Sequence, residues 1–340
     1  MPGIPKTEAD WLSLEDAMLS TAVSGEIFRD DSGEWTKKRS ILRLGYPKAV
    51  QLRRLAQAYA RMAQCGQYNY ERMKRRGDDA TAQLYLAEFC KNAMTAAHLC
   101  RRKYAPYEKW LLRSTRELSG FGWLGDAVCG LLTGTEAKPK EKIQEICDFF
   151  AREVQMEHTY LDDAAQQLLE QAQQQEKQDE LVAKIVQLEW KAFDIVQNIG
   201  GRAECQDNWD TFSIMRTSQY RYWPAELLEQ WIAYFEEVLA KGQNPITYKY
   251  AYMMEHTDPA EYAKFQDKLP AISPEAKELR EAIIAIQIPW MEAFARAYPT
   301  LSSRARVIHS EEDSVWETSY ETYLRGELSV YPFAVLYGYG

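Results

Sequence analysis

Apolar residues recur every three to four positions along most of this chain, and they alternate with polar residues almost nowhere. That spacing places apolar side chains on one face of a helix, whereas a half-buried strand requires strict alternation. In the first third of the chain, the pattern predicts helices over residues 12–23, 48–66, 78–102 and 107–118. We therefore predict an all-α fold, made of two helical bundles without a significant sheet.

The middle of the chain continues the helical pattern but contains a very polar stretch. Residues 140–175 predict one long helix, and a further helix is expected over residues 180–198, ending at Gly200-Gly201. The Gln- and Glu-rich stretch 166–179 fits either a solvated helix face or a hairpin turn. The pattern alone does not distinguish these two interpretations.

Two later helix starts are marked by a capping residue followed by proline, at Asp258-Pro259 and Ser273-Pro274. A final helix is expected over residues 314–325, and it leads into an aromatic tail. The 340 residues suffice for about two domains. The Gly- and Pro-containing segment 130–139 is the best boundary, and it predicts domains 1–135 and 136–340.

The charge divides unevenly between the two halves. The whole chain carries a net charge of -9, but residues 1–137 contain 21 Lys and Arg against 16 Asp and Glu. Between Lys37 and Arg116 the excess is greatest, with 19 basic and five acidic residues. Such a surface attracts RNA, nucleotide phosphates or an acidic protein. The alternative is that the basic half docks on the acidic half of the same chain.

Composition excludes several classes of protein. With 46% hydrophobic and 27% charged residues, the chain is neither fibrous nor wholly disordered. No apolar run is long enough for a membrane helix, and the N-terminus has no apolar signal core. The six cysteines form no CxxC pair, which favours reduced, mostly buried thiols. We expect a cytoplasmic, bacterial protein that does not interact with membranes.

The densest polar segment in apolar surroundings is 200–208, followed by a helix that carries Arg216 and Gln219 three residues apart. Guanidinium groups bind carboxylates and phosphates bidentately, so this segment predicts a site for an anionic group. An ordinary salt bridge at Arg216 is the alternative. The residues that we predict to bind substrate are Arg202, Gln206, Arg216, Gln219, Lys249, Tyr323 and Arg325.

Four residues are candidates for catalysis. Cys205 lies near Arg202 and at the start of a predicted helix, two features that favour a reactive thiolate, although a structural thiol is the commoner case. Glu189, Glu204 and Glu321 are candidate general acids or bases. Glu321 and Arg325 also share a helix face, where they could form a simple ion pair, and Lys249 could be a core residue with a solvated amine.

We predict no metal site, because no Glu-x-x-His motif occurs and adjacent Glu-His pairs diverge on a helix. The chain contains no Walker loop, no GxGxxG after a strand, no GxSxG and no kinase signature. The sequence identifies no cofactor.

Two parts of the chain resemble known families. The strings beginning at Gln64, Lys74 and Arg102 (QCGQYNY, KRRGD and RKYAPYEKW) resemble the helical C-terminal part of a bacterial family with nucleotidyltransferase-like domains. Five motifs in the second half resemble another, uncharacterised helical family that is sometimes fused behind the first. They are Glu189-Trp190, residues 198–206, and the strings MRTSQ, KYAYMM and ETYLRGE, which begin at Met215, Lys249 and Glu321. These likenesses cover roughly residues 10–120 and 180–335. The Gly-Ser turn and Asp-x-Asp pair of a nucleotidyltransferase core are absent, so the resemblance implies a bundle that positions substrate rather than nucleotide transfer.

Three functions follow as hypotheses. The first is an enzyme that acts on a small anionic or amino-acid-like molecule in a pocket of the C-terminal domain. The second is a module that binds nucleic acid or nucleotides through the basic Lys37–Arg116 surface. The third is a non-catalytic partner of a separate nucleotidyltransferase domain.

Overall fold

The all-α prediction is confirmed. The computed structural model describes residues 4–155, 160–197, 201–314 and 317–340, and these residues form helices and connecting loops without a β-strand. None of the helices in these ranges is long and apolar enough to cross a membrane. The chain divides into two compact units, residues 1–176 and residues 177–340.

The first unit is built around a core that includes fully buried Tyr59, Phe89, Phe121 and Phe150. Its helices are α1 (Glu8–Ser13), α2 (Asp16–Val23), α3 (Glu34–Leu42), α4 (Lys48–Met62), α5 (Glu71–Arg75), α6 (Asp79–Cys100), α7 (Glu108–Glu117), α8 (Gly122–Thr133), α9 (Pro139–Glu153) and the first part of α10 (Leu161–Asp194).

The second unit has a separate core, in which Tyr220, Trp231 and Phe235 are fully buried. It contains the last part of α10, followed by α11 (Trp209–Tyr220), α12 (Ala225–Ala240), α13 (Pro245–Thr257), α14 (Pro259–Tyr262), α15 (Pro274–Ala297), α16 (Pro299–Ser302), α17 (Tyr320–Leu328) and α18 (Phe333–Tyr339). Asp258 and Ser273 cap the N-termini of α14 and α15, as the sequence predicts.

Along the chain, the first unit ends at residue 176, later than the predicted boundary at residue 135. The reason is that α9 buries Ile143, Ile146 and Phe150 in the first core, and the start of α10 adds Leu161 and Leu168. The Gly- and Pro-containing segment 130–139 therefore comprises the end of α8, a short turn and the start of α9, all inside the first unit. Composition marks this turn, but the apolar face of α9 determines which core the following helix joins.

The predicted helix over residues 140–175 consists of two helices, α9 and α10. Helix α10 then runs without a break through the Gln-rich stretch 166–179, so this stretch is a helix face and not a hairpin turn. The predicted C-terminal helix begins six residues late, at Tyr320, because the side chain of Ser319 accepts a hydrogen bond from the Thr322 amide and caps α17 there. Gly200, the predicted end of the helix over 180–198, lies outside the described residues.

The helix predicted to stop near Gly66 continues as a π-helix, Ala63–Tyr70. A Cβ on Gly66 would lie 2.4 Å from Cδ2 of Phe89 and 2.9 Å from Cγ2 of Ile143. The glycine is thus required by the close packing of this segment on α6 and α9, and it does not end the helix.

Candidate functional site

A group of buried charged side chains lies at the centre of the second unit. Arg216 on α11 donates two hydrogen bonds to Glu189 on α10, from Nε to Oε2 at 2.5 Å and from Nη2 to Oε1 at 2.6 Å. Its Nη2 also donates to Oε1 of Glu327 on α17, at 2.7 Å. Its Nη1 donates to Oε1 of Gln219, at 2.8 Å. Arg216 thus joins three helices.

Glu327 links this arginine to a second buried cation. Its Oε2 accepts a short hydrogen bond from Nζ of Lys249 on α13. The side chains of Glu327 and Lys249 are 6% and 4% exposed, and the side chain of Glu189 is fully buried. Two cations therefore face two carboxylates away from water. We call Glu189, Arg216, Lys249 and Glu327 the buried tetrad; its formal charges sum to zero.

Hydroxyl and indole groups complete the hydrogen bonding of the tetrad. Tyr220 Oη donates to Glu189 Oε1 at 2.5 Å, and Tyr331 Oη donates to Glu327 Oε1 at 2.9 Å. The indole Nε1 of Trp231 donates in turn to Tyr220 Oη, at 3.0 Å. Buried charges are stable only when they are paired and hydrogen-bonded in this way.

Electrostatics keep Lys249 and Glu327 ionised. Burial alone would raise the pKa of Glu327, but the adjacent Arg216 and Lys249 outweigh it and hold the pKa well below its ordinary value. Burial would likewise lower the pKa of Lys249, yet the Glu327 carboxylate holds it above the ordinary value. Neither group exchanges a proton readily near neutral pH, so Lys249 and Glu327 form a fixed pair of opposite charges.

A close helix contact brings Glu327 to Lys249. A Cβ on Gly326 would lie 2.9 Å from the backbone oxygen of Lys249 and 2.4 Å from Cγ of Met253. Only a residue without a side chain lets α17 approach α13 so closely. Gly326 therefore determines the position of the next residue, Glu327, in the buried tetrad.

A cleft of about 180 Å³ opens beside the tetrad. Arg216, Lys249 and Arg306 supply its cations, and none of the described residues that line it is Asp or Glu. The residues that line this cleft are Phe193, Cys205, Asn208, Thr211, Phe212, Met215, Arg216, Ile246, Lys249, Tyr250, Arg306 and Tyr323. Four aromatic rings and three cations thus surround a space that could hold one ring-sized molecule.

Tyr323 and Arg306 form one wall of the cleft. Nζ of Lys249 lies 3.8 Å from the centroid of the Tyr323 ring, and the guanidinium carbon of Arg306 lies 4.9 Å from it. Arg306 is exposed and donates from Nη1 to the backbone oxygen of Thr318, at 3.1 Å. Within the described ranges it forms no salt bridge, in contrast to Arg216 and Lys249. Burial raises the pKa of Tyr250 to about 12, so that hydroxyl stays protonated at neutral pH.

Two predicted substrate-binding residues, Arg202 and Gln206, cap the C-terminus of α10. Nε2 of Gln206 donates to the backbone oxygens of Phe193, at 2.8 Å, and Val196, at 3.0 Å. Arg202 donates from Nη1 to the backbone oxygen of Asp194, at 3.0 Å, and from Nη2 to its carboxylate, at 2.6 Å. These bonds satisfy carbonyls that a helix end leaves without partners. Arg202 and Gln206 thereby hold the loop that carries Cys205 against the cleft.

Arg325 and Glu321 belong to a different cluster on the other side of α17. Arg325 donates from Nη2 to Glu321 Oε1 at 2.9 Å and to Glu281 Oε2 at 3.0 Å. Burial would raise the pKa of Glu321, but the amide of Ser310 and Arg325 lower it overall. A carboxylate held in this way is a weak proton acceptor, and the arrangement favours a structural role. Glu204 is exposed, in a turn of 3-10 helix.

One group with the composition of a metal site occurs among the described residues. Ligand atoms of His309, Glu311 and Glu321 lie within 4.8 Å of one another. Both oxygens of Glu321 already accept hydrogen bonds, from Arg325 and from the Ser310 amide. We therefore assign no ion to this group.

In the first unit, many cations of the basic region are paired locally. The salt bridges there include Arg61–Glu88, Lys74–Asp79, Lys91–Glu108, Arg113–Glu117 and Arg116–Asp126. Tyr68 and Arg72, which could contact a base and a phosphate, lie together, with the Arg72 Nη1 donating to Tyr68 Oη at 2.8 Å. These pairs reduce the charge that the surface offers to a polyanion.

Sequence reasoning missed several residues of the site. Glu327 lies in a predicted motif, but its partners are 78 and 111 positions away in the sequence. Arg306 lies in a loop without any periodic pattern. Phe193, Phe212 and Tyr250 have the spacing of ordinary core residues. The sequence carries no signal that separates aromatic residues lining a cleft from those filling a core.

The two units correspond to two family matches. Residues 179–340 match the family described as a protein of unknown function (DUF4125). This matched region begins two residues after the start of the second unit. Residues 11–111 match the family described as a domain of unknown function (DUF4037). The chain is thus similar to two uncharacterised families joined in one polypeptide. No curated protein and no solved structure matches it.

Proposed function

We propose that the second unit binds a small molecule that combines a planar apolar group with an anionic group, in the cleft beside the buried tetrad. One observation carries this proposal. Among the residues that the structure describes, the lining contains three cations and four aromatic rings but no carboxylate. Binding sites for small molecules are typically apolar cavities with a few well-placed polar groups.

The size of the cleft limits the ligand to about one ring. An apolar cavity of roughly 150 Å³ accommodates benzene, and this cleft has a volume of about 180 Å³. Phe193 and Phe212 lie with their ring centroids 5.4 Å apart, at an interplanar angle of 13°. Such an aromatic wall favours contact with a planar group.

Arg306 is the residue that would hold the anionic group. Arg216 is already bonded to Glu189, Glu327 and Gln219, and Lys249 is bonded to Glu327. The guanidinium of Arg306 bonds only one backbone oxygen among the described atoms, so its remaining N–H groups can bind a carboxylate or a phosphate bidentately. The buried tetrad, whose formal charges sum to zero, supports this wall through Lys249, whose Nζ lies 3.8 Å from the centroid of the Tyr323 ring.

A titration with simple ring compounds tests the proposal. We expect benzoate and phenyl phosphate to bind the full-length protein, as measured by isothermal titration calorimetry, and benzyl alcohol to bind more weakly. Arg306→Gln should weaken benzoate binding by about tenfold to a hundredfold, because a hydrogen bond to a charged group contributes about 1.5–3 kcal/mol. Benzyl alcohol binding should change little.

The matched control is Arg304→Gln, two residues earlier in the same exposed segment but not in the lining of the cleft. It should leave benzoate binding unchanged. Equal effects of the two substitutions would indicate nonspecific attraction by positive charge. Absence of binding for all three ring compounds would reject the cleft as a site for such molecules.

Among the described residues that line the cleft, Cys205 is our candidate nucleophile for an enzymatic reaction. Its side chain is exposed and lines the cleft, whereas Cys65, Cys90 and Cys147 are buried. No described histidine is among the lining residues. The role of Cys205 as nucleophile therefore stays a prediction, and benzoate should slow its alkylation by iodoacetamide if the thiol faces the ligand.

The two other hypotheses also stay predictions. Binding of RNA through the Lys37–Arg116 surface should weaken steeply with added salt, since phosphate contacts release counterions. A separate nucleotidyltransferase partner should co-purify with the full-length chain. RNA binding would not bear on the cleft, because the Lys37–Arg116 surface contains none of the residues that line it.

A further inference from the structure

One face of helix α15 in the second unit is exposed and is not covered by any residue that the structure describes. Its other face packs on the core through Ile283 and Ile284. The exposed face runs through α16 and consists of Ala282, Ala285, Ile286, Pro289, Trp290, Ala293, Phe294, Ala297, Tyr298 and Leu301. We call these residues the apolar face.

The apolar face carries almost no charge. Between residues 282 and 301, all of which are described, the charged residues are Glu292 and Arg296, whose side chains are 37% and 71% exposed and pair with each other at 3.7 Å. Trp290 is 66% exposed, Leu301 63% and Tyr298 56%. A solvated helix face normally consists of charged and polar residues. This face therefore has the composition of a surface that is covered in the working protein.

The area of the apolar face approaches that of a stable interface. An aromatic side chain has roughly 150–250 Å² of surface, so Trp290, Phe294 and Tyr298 together expose about 300 Å². The seven other apolar residues bring the face close to the roughly 800 Å² per partner of a standard interface. Monomeric proteins rarely expose apolar patches larger than a few hundred Å².

The aromatic side chains of the face are absent from its N-terminal turns. Ala282, Ala285 and Ile286 lie at the N-terminal end, whereas Trp290, Phe294 and Tyr298 follow toward the C-terminal end, with Ala293 and Ala297 between them. Two copies that pack antiparallel about a two-fold axis near Trp290 would place Ala282 opposite Tyr298. A parallel pair would oppose alanine to alanine at one end and tyrosine to tyrosine at the other. The uneven placement of the aromatic residues thus makes the face complementary to itself in the antiparallel arrangement.

We infer that the protein forms a symmetric dimer in which the apolar faces of two copies pack antiparallel. A two-fold interface uses the same patch on both chains, which is why self-complementarity is the relevant property. Because the face is at the lower end of standard interface areas, we expect a dimer that dissociates in the micromolar range.

Size-exclusion chromatography with light scattering on the full-length protein tests the dimer. At 200 µM the mass should be twice the 39.4 kDa of one chain, and it should decrease on dilution. Trp290→Lys should yield a monomer with an unchanged circular dichroism spectrum. Tyr222→Lys, at an apolar side chain that is 81% exposed elsewhere in the second unit, should remain dimeric. A monomer at 200 µM would overturn the inference, as would a dimer that Trp290→Lys does not weaken.

Cross-linking tests the antiparallel arrangement without disturbing Trp290. In a Cys205→Ser background, an equimolar mixture of Ala282→Cys and Tyr298→Cys chains should form mixed disulfides on mild oxidation. Ala282→Cys alone should form few. Efficient disulfides between two Ala282→Cys chains would contradict the antiparallel pairing, and no excess of mixed disulfides over a Tyr222→Cys control would contradict the interface itself.

Discussion

Charge balance in the buried tetrad leads to a prediction that depends on pairs of substitutions. Glu327→Gln removes one negative charge and leaves Arg216 and Lys249 facing Glu189 alone, in a site where these side chains are between 0% and 9% exposed. Breaking a buried ion pair by removing one partner costs about 3–5 kcal/mol. We expect a loss of that size in the unfolding free energy of the second unit. Lys249→Met should have a similar cost, since it leaves an excess negative charge.

The double variant Glu327→Gln, Lys249→Met restores neutrality, because Arg216 and Glu189 remain as a pair. The double variant should therefore lose about as much unfolding free energy as one single variant, which corresponds to a coupling energy of about 3 kcal/mol. Urea unfolding of a two-unit chain need not be two-state. We therefore specify hydrogen exchange of the α11 amides, read by mass spectrometry, as the assay.

Glu229→Gln is the control for charge removal as such. Glu229 pairs with Lys177 at 2.7 Å on the surface of the second unit, where the side chains are 45% and 57% exposed. Its loss should be below about 1 kcal/mol. If the two single effects at Glu327 and Lys249 simply add, to within about 0.5 kcal/mol, charge balance does not govern this site. If Glu327→Gln fails to fold, recovery of soluble protein in the double variant provides the same test.

Two further predictions concern the position and the ionisation of Glu327. Gly326→Ala should destabilise the second unit by about 1–3 kcal/mol through overpacking, although alanine favours helices. Gly130→Ala in α8 is the control and should be neutral or stabilising, because its Cβ would have ordinary contacts at 3.7 and 3.8 Å. Thermal unfolding of both variants measures this, and a stabilised Gly326→Ala would refute the close contact. The lowered pKa of Glu327 stabilises the fold above the ordinary carboxyl pKa, and this contribution decreases as the pH falls through the pKa of the folded protein. The stability of the second unit should thus decline below about pH 5, and it should decline more steeply in the wild type than in Glu327→Gln. Equal pH dependence of the stability in the two proteins would contradict the lowered pKa of Glu327.

Local chemistry in the sequence is sufficient to predict the fold class and several helix ends. Asp258 and Ser273, each followed by proline, mark the starts of α14 and α15 because capping and a fixed φ angle act within one turn. The continuity of α10 was also accessible, since residues 166–179 contain neither glycine nor proline. The boundary at residue 176 could not be predicted from the sequence, because it depends on which core the apolar face of α9 joins.

The candidate site could be predicted only in part. Glu189, Arg216, Gln219 and Lys249 are noticeable as polar residues within apolar stretches, and they all join the buried network. Glu327 connects them through partners from distant helices, which no local pattern reveals. Arg202 and Gln206 have the residue types of a substrate site, but the unpaired carbonyls at the end of α10 compete for them.

The proposed ligand site can be tested most directly with a bromine-labelled ring compound in a crystal. Crystals of the full-length protein soaked with 4-bromobenzoate should show an anomalous bromine peak inside the cleft, among Phe193, Phe212 and Tyr250. The carboxylate should lie within hydrogen-bond distance of Arg306. A peak elsewhere, or an empty cleft at a concentration that saturates binding in solution, would contradict the proposed function.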